Sequence, residues 1–167
     1  MEGNRNTQPD FVGLEELKQK HAKQVEMFER WASERNWMGF HDSHYDWWAF
    51  PIDKPSRLGY AYTLFKQEVG SLKRDPDFMK KYLRGVELLM LSWGWDLQAE
   101  QEIVAPDPDQ KWNDWPIRLS KCAQSLELFD CPNELVSVKK YGQLLLQRGA
   151  DFTFRGTDLS SHFQNNQ

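Results

Sequence analysis

The chain reads as an all-α protein on three observations. Its apolar residues recur at steps of three and four through several long segments, no segment shows the period-two alternation of a strand, and proline or glycine stands at the ends of the periodic runs. At 167 residues it fits one domain, and a domain of that size buries roughly two thirds of the surface its unfolded chain exposes. A core that needs neither disulfides nor metals is therefore expected. Apolar residues make up 40% and aromatics 14%, with eight tryptophans, which excludes a disordered chain despite the 28% of charged residues.

The expected architecture is a single compact domain of about five or six helices with a long acidic loop. Residues 1–10, rich in Gly, Asn, Gln and Pro, read as a flexible lead-in, and the helical domain runs from 11 to 149. Leu14, Leu17, His21, Val25, Phe28 and Trp31 make the first amphipathic stripe. An aromatic segment follows, in which Asp42 or Ser43 is expected to cap a short helix that Pro51 and Pro55 end. A second short helix is expected from Leu58 to Val69, closed by Gly70.

The strongest helical signal starts at Asp75-Pro76, a capping residue and then a proline at the first helical position. Phe78, Tyr82, Val86, Leu89 and Trp93 form its stripe, and Gly94 stops it. Residues 98–111, EQEIVAPDPDQK at their heart, have no helical period and read as a loop, with Asp107 and Asp109 expected in solvent. Helix resumes from Pro116 to Phe129 along Leu119, Cys122, Leu126 and Phe129, with Arg118 and Lys121 placed off that face. After Asp130-Cys131-Pro132, Leu135, Val138, Tyr141 and Leu145 carry the last stripe to Arg148-Gly149. Residues 150–167 read as a partly flexible, loosely packed tail.

Charge and cysteine usage narrow the function classes. The net charge is -4 and the pI near 5.6, so no field draws the chain to nucleic acid or an anionic membrane, and nucleic acid is the poorer partner. There is no apolar run long enough to cross a membrane and no apolar leader, so no membrane insertion is expected. Cys122 and Cys131 belong to no CxxC or Cys/His cluster, which suits a reduced intracellular setting, cytoplasmic or, in a eukaryote, nuclear.

Catalytic signals are sparse. His41-Asp42-Ser43-His44-Tyr45-Asp46 gathers imidazoles and carboxylates, types that ligate Zn, Mn or Fe. His41 and His44 have helix-face spacing, but no second His or Cys group completes a site. No nucleophile elbow and no glycine-rich phosphate loop occurs, and Cys122 lies on an apolar stripe. No metal or cofactor is expected. A small metal-dependent hydrolase centred on His41 and His44, with Asp46, is kept as the alternative reading.

Tryptophans supply the favoured one. Trp48 and Trp93 read as core, whereas Trp47, Trp95, Trp112 and Trp115 read as lying at a rim or under the long loop, where aromatics anchor interfaces. With Arg118 and Lys121 beside them they form a candidate groove for a protein or peptide partner in a non-enzymatic, regulatory binding module. The oligomeric state is left open.

Three blocks in order carry a family resemblance: Tyr45-x-x-Trp48-x-Phe50-Pro51-Ile52; Asp75-Pro76, then Leu89-Met90-Leu91-Ser92-Trp93-Gly94-Trp95; and Arg118 to Phe129. Across residues 43–147 the chain resembles the opioid growth factor receptor conserved domain, which implies an all-helical fold. It departs from that family at Ser43, at Asp46-Trp47 and at Asp114-Trp115, and it shows no counterpart of the receptor's C-terminal repeats. The resemblance therefore implies architecture and not the binding of opioid peptides.

Overall fold

A computed structural model describes residues 4–164. Helix α1, Leu14–Ser33, buries the expected stripe of Leu17, His21, Val25, Phe28 and Trp31 together with Gln24. It lies along α5, Pro76–Ser92, whose start is capped as the sequence reads: the Asp75 carboxylate accepts the Asp77 and Phe78 N–H groups, both at 3.1 Å. Gly94 ends that segment with φ +81°, and a Cβ there would stand 2.9 Å from the Gln110 carbonyl oxygen, so only glycine fits.

Between α1 and α5 run three short helices. Helix α2, Trp37–Asp42, was not expected; Asn36 caps it by accepting the Gly39 N–H at 3.1 Å, and Trp37, Phe40 and His41 share its buried face. Asp42 thus ends a helix instead of opening one, and Ser43 is extended. Helix α3, Asp46–Ala49, stops before Pro51 as the proline rule requires. The helix expected from 58 to 69 is displaced to α4, Lys66–Lys73, with Gly70 inside it. The Glu68 carboxylate sets this start by accepting the Phe65 N–H at 2.9 Å, while the same oxygen accepts the Asn6 N–H at 3.0 Å.

That second bond also corrects the reading of the lead-in. Asn6 is buried, and its side-chain amide donates to the carbonyls of Tyr60 and Thr63 at 3.0 and 2.8 Å, which holds residues 4–8 against the domain. Residues 1–3 lie outside the described residues.

Helices α6, Pro116–Leu128, and α7, Pro132–Gln147, pack on each other, and α6 touches α3. The centre is aromatic: Phe28 sits 4.8 Å from both Phe40 and Tyr45, and Tyr82 sits 4.7 Å from Phe129. The Tyr82 hydroxyl shares a 2.7 Å hydrogen bond with Ser125. Among the described residues the fold is seven α-helices and two small antiparallel hairpins, an all-α protein.

The hairpins belong to segments read as irregular. Strands β1, Trp95–Asp96, and β2, Gln101–Glu102, pair Trp95 with Glu102. Beyond them Asp107 is not simply solvated: Arg35 grips it through two 2.7 Å bonds and Trp37 Nε1 donates to it at 2.7 Å. Strands β3, Thr153–Phe154, and β4, Thr157–Asp158, form a second hairpin in the tail. The tail is packed through residue 163 because Phe152, Leu159 and Phe163 are buried, with Phe163 lying on Gly142 where a Cβ would collide with its ring. Residues 165–167 lie outside the described residues.

Candidate functional site

Four segments meet around one cleft of about 520 Å³: α3, the 52–57 connection, the N-terminal half of α6, and the β3–β4 hairpin with the 3-10 turn Ser160–His162. Its walls carry Trp47, Trp115 and Phe154, and a chain of rings connects them. Trp47 and His44 lie 6.5 Å apart, His44 and Trp115 6.1 Å, and Trp115 and Phe154 6.4 Å. Trp48 extends the run at 5.8 Å from Trp47. Such spacings are those of interacting aromatic pairs, so the wall is continuous.

Lys54, Arg57, Lys121 and Arg155 line the same cleft. The Lys121 ammonium stands 5.3 Å from the Trp47 ring and the Arg155 guanidinium 5.3 Å from the Phe154 ring. Burial pushes the Lys121 pKa down, and the Asp46 carboxylate partly opposes that. On the rim, burial lowers the His162 pKa and Lys54 lowers it further, while Glu127 raises it.

Arg118 takes no part in this surface, which corrects the expectation that it flanks the groove. It is 1% exposed, and its guanidinium donates to Asp46 Oδ1 at 3.1 Å, the Phe40 carbonyl at 2.7 Å and the Ser43 carbonyl at 2.6 Å. It also lies 4.3 Å over the Tyr45 ring, whose hydroxyl donates to the same Phe40 carbonyl at 2.8 Å. One buried cation thus ties α2, α3 and the turn between them to α6. Asp46, the other half of the pair, is held in turn and faces the cleft with its charge already matched.

Other sequence assignments separate in the same way. Trp95 is buried, not at a rim: its Nε1 donates to Ser137 at 3.0 Å and its ring packs 5.2 Å from Tyr141. Trp112 is half-buried between Trp93 and Phe152, at 5.0 and 5.7 Å, and lines other hollows. Trp48, read as core, is half-buried with the Lys20 ammonium 4.2 Å over its ring. Trp93 is core as expected. Of the residues proposed for a partner, Trp47, Trp115 and Lys121 are the three brought together.

The two histidines of the alternative reading diverge. His41 is buried, its Nε2 is 2.8 Å from the Asp109 carbonyl, and it lines a separate hollow of about 280 Å³; His44 is exposed on the wall of the main cleft. Burial lowers the His41 pKa, with the Asp109 carbonyl opposing. Among the described residues no group of three His, Cys, Asp or Glu side chains is placed to hold a metal. Both cysteines are buried and free, and burial raises the Cys122 thiol well above its ordinary range.

Lys54, Arg57, Phe154 and Arg155 escaped the sequence reading because they sit in a connection and a tail. The one available signal was Phe154-Arg155, an aromatic next to a cation in a segment otherwise poor in apolar residues. Compared with protein-family models, with curated proteins and with solved structures, the chain matches none. No helix among the described residues is long and apolar enough to cross a membrane.

Proposed function

We propose that this protein is a non-enzymatic, intracellular binding module that takes a segment of a partner protein or peptide into the cleft between Trp47, Trp115 and Phe154. The observation that carries the reading is the unbroken run of rings from Trp47 through His44 and Trp115 to Phe154 along one concave wall. The volume, about 520 Å³, lies in the range of sites that enclose a few side chains. Rigid indole rings give large contact area at low entropic cost, which suits them as anchors. The setting in cytoplasm or nucleus is proposed with it, supported by two cysteines that remain unpaired.

Kinship with the opioid growth factor receptor conserved domain is proposed for the architecture alone. It is supported by the meeting of two of the resembling blocks, where Arg118 reaches Tyr45 and Asp46. Selection of unmodified peptides from a randomised library, followed by titration calorimetry, tests the binding reading. Trp47→Ala and Trp115→Ala should each weaken the selected peptides by about tenfold or more, the range of an aromatic anchor. Affinities unchanged in both variants would remove the cleft as the site.

A further inference from the structure

Charges around the cleft narrow the chemistry of its occupant, an inference that rests on the cleft being a peptide site. Lys54, Arg57, Lys121 and Arg155 bring four positive charges to its walls, and among the described residues none of the four forms an ion pair. Asp46, the acidic residue of the lining, is bonded to Arg118 at 3.1 Å and offsets Lys121 only in part. A surplus of cations in one concavity is therefore built into a chain whose net charge is -4. Lys121 is half-buried and the other three stand exposed along the walls, so an anion entering the cleft meets cations with no ion-pair partner.

Two details select among anions. Lys121 and Arg155 each stand over a ring of the wall, at 5.3 Å from Trp47 and from Phe154, so an anion held by either cation lies beside an aromatic face. A carboxylate offers one charge, whereas a phosphate monoester offers about -1.5 to -2 and three acceptor oxygens, which suits two guanidinium groups and two ammonium groups better. We infer that the cleft binds an extended peptide through a phosphotyrosine, with the phosphate held by Lys121, Arg155 and their neighbours and the phenyl ring packed on Trp47 or Trp115. A polyanion such as nucleic acid fits less well, because the chain is acidic overall with a net charge of -4 and Glu127 acts on the rim of the cleft at His162.

Fluorescence polarisation with labelled oriented peptide libraries decides the matter. Libraries fixed at phosphotyrosine, tyrosine, phosphoserine and glutamate are compared with a single-stranded oligothymidine at one salt concentration. Phosphotyrosine should bind about tenfold or more tightly than each of the others, as expected for hydrogen bonds to charged groups combined with ring packing. Lys121→Gln and Arg155→Gln should each lose about tenfold, with Lys80→Gln unchanged and thermal melts reporting that all three variants are folded. Equal binding of tyrosine or phosphoserine, or tighter binding of the oligonucleotide, would overturn the inference. If no phosphotyrosyl peptide binds while unmodified peptides bind in a Trp47-dependent way, the anion inference falls and the peptide-binding reading stands; if neither binds, both fall.

Discussion

Two aromatic regions of this molecule use the same residue types to opposite ends. The inner one, built from Phe28, Phe40, Tyr45, Tyr82 and Phe129, is sealed, and its hydroxyls are spoken for by Phe40 and Ser125. The outer one, Trp47, Trp115 and Phe154, is half-buried and carries cations that form no ion pair among the described residues. Arg118 marks the border: a buried cation with three hydrogen-bond acceptors belongs to the inner region, although Lys121, one helical turn away, opens to the outer. What separates core from site is thus the satisfaction of polar groups and not the number of rings. A satisfied network rigidifies; an unsatisfied one waits for a ligand.

The largest test of that border is Arg118→Ala. Removing the guanidinium leaves the buried Asp46 carboxylate without its cation and takes a donor from the carbonyls of Phe40, which keeps the Tyr45 hydroxyl, and Ser43; the expected loss is about 3 to 5 kcal/mol in urea unfolding. A loss below about 1 kcal/mol would place Arg118 with the surface cations after all.

A second test sharpens the inner region through pH. His21 is 1% exposed between α1 and α5, and burial holds its pKa near 4 against an ordinary 6.5. The native state therefore keeps it neutral while the unfolded chain takes up a proton below about pH 6.5. Stability is full above that pH, falls as the pH drops towards 4, and then levels, a total of about 3 kcal/mol at 1.36 kcal/mol per unit. Denaturation curves across this window should be flatter for His21→Gln by about that amount; parallel curves for the two proteins would show that His21 is not sealed.

The smallest effect is expected in the outer region. Lys121→Gln should change folding stability by no more than about 0.5 kcal/mol, because its ammonium makes no ion pair among the described residues. A larger loss would mean that the cleft cations serve the fold, and the contrast between the regions would collapse.

Much of the architecture is legible in the order of residues alone. The stripes of α1, α5, α6 and α7, the Asp75 cap and the Gly94 stop rest on interactions within one or two turns, which neighbouring residues dictate. Helix α2 escapes such a reading because its six residues offer too short a period, and α4 is displaced because Glu68 reaches both Phe65 and Asn6, sixty-two residues away in sequence from the latter. The tail and lead-in read as loose from their polarity. Phe163 against Gly142 and Asn6 against Tyr60 and Thr63 hold them, and neither contact has a local signature.

The sequence by itself determined that this chain is helical and rich in aromatic residues, since periodicity and composition are properties of neighbouring residues. Only the tertiary structure decided which aromatics are core and which cations are free. Trp95 and Trp115 look alike as sequence, as do Arg118 and Lys121, and each pair is divided by packing. The cleft itself gathers residues from 44–57, 115–124 and 154–162. Burial depends on what segments distant in the chain bring to the same place, and no local pattern encodes that.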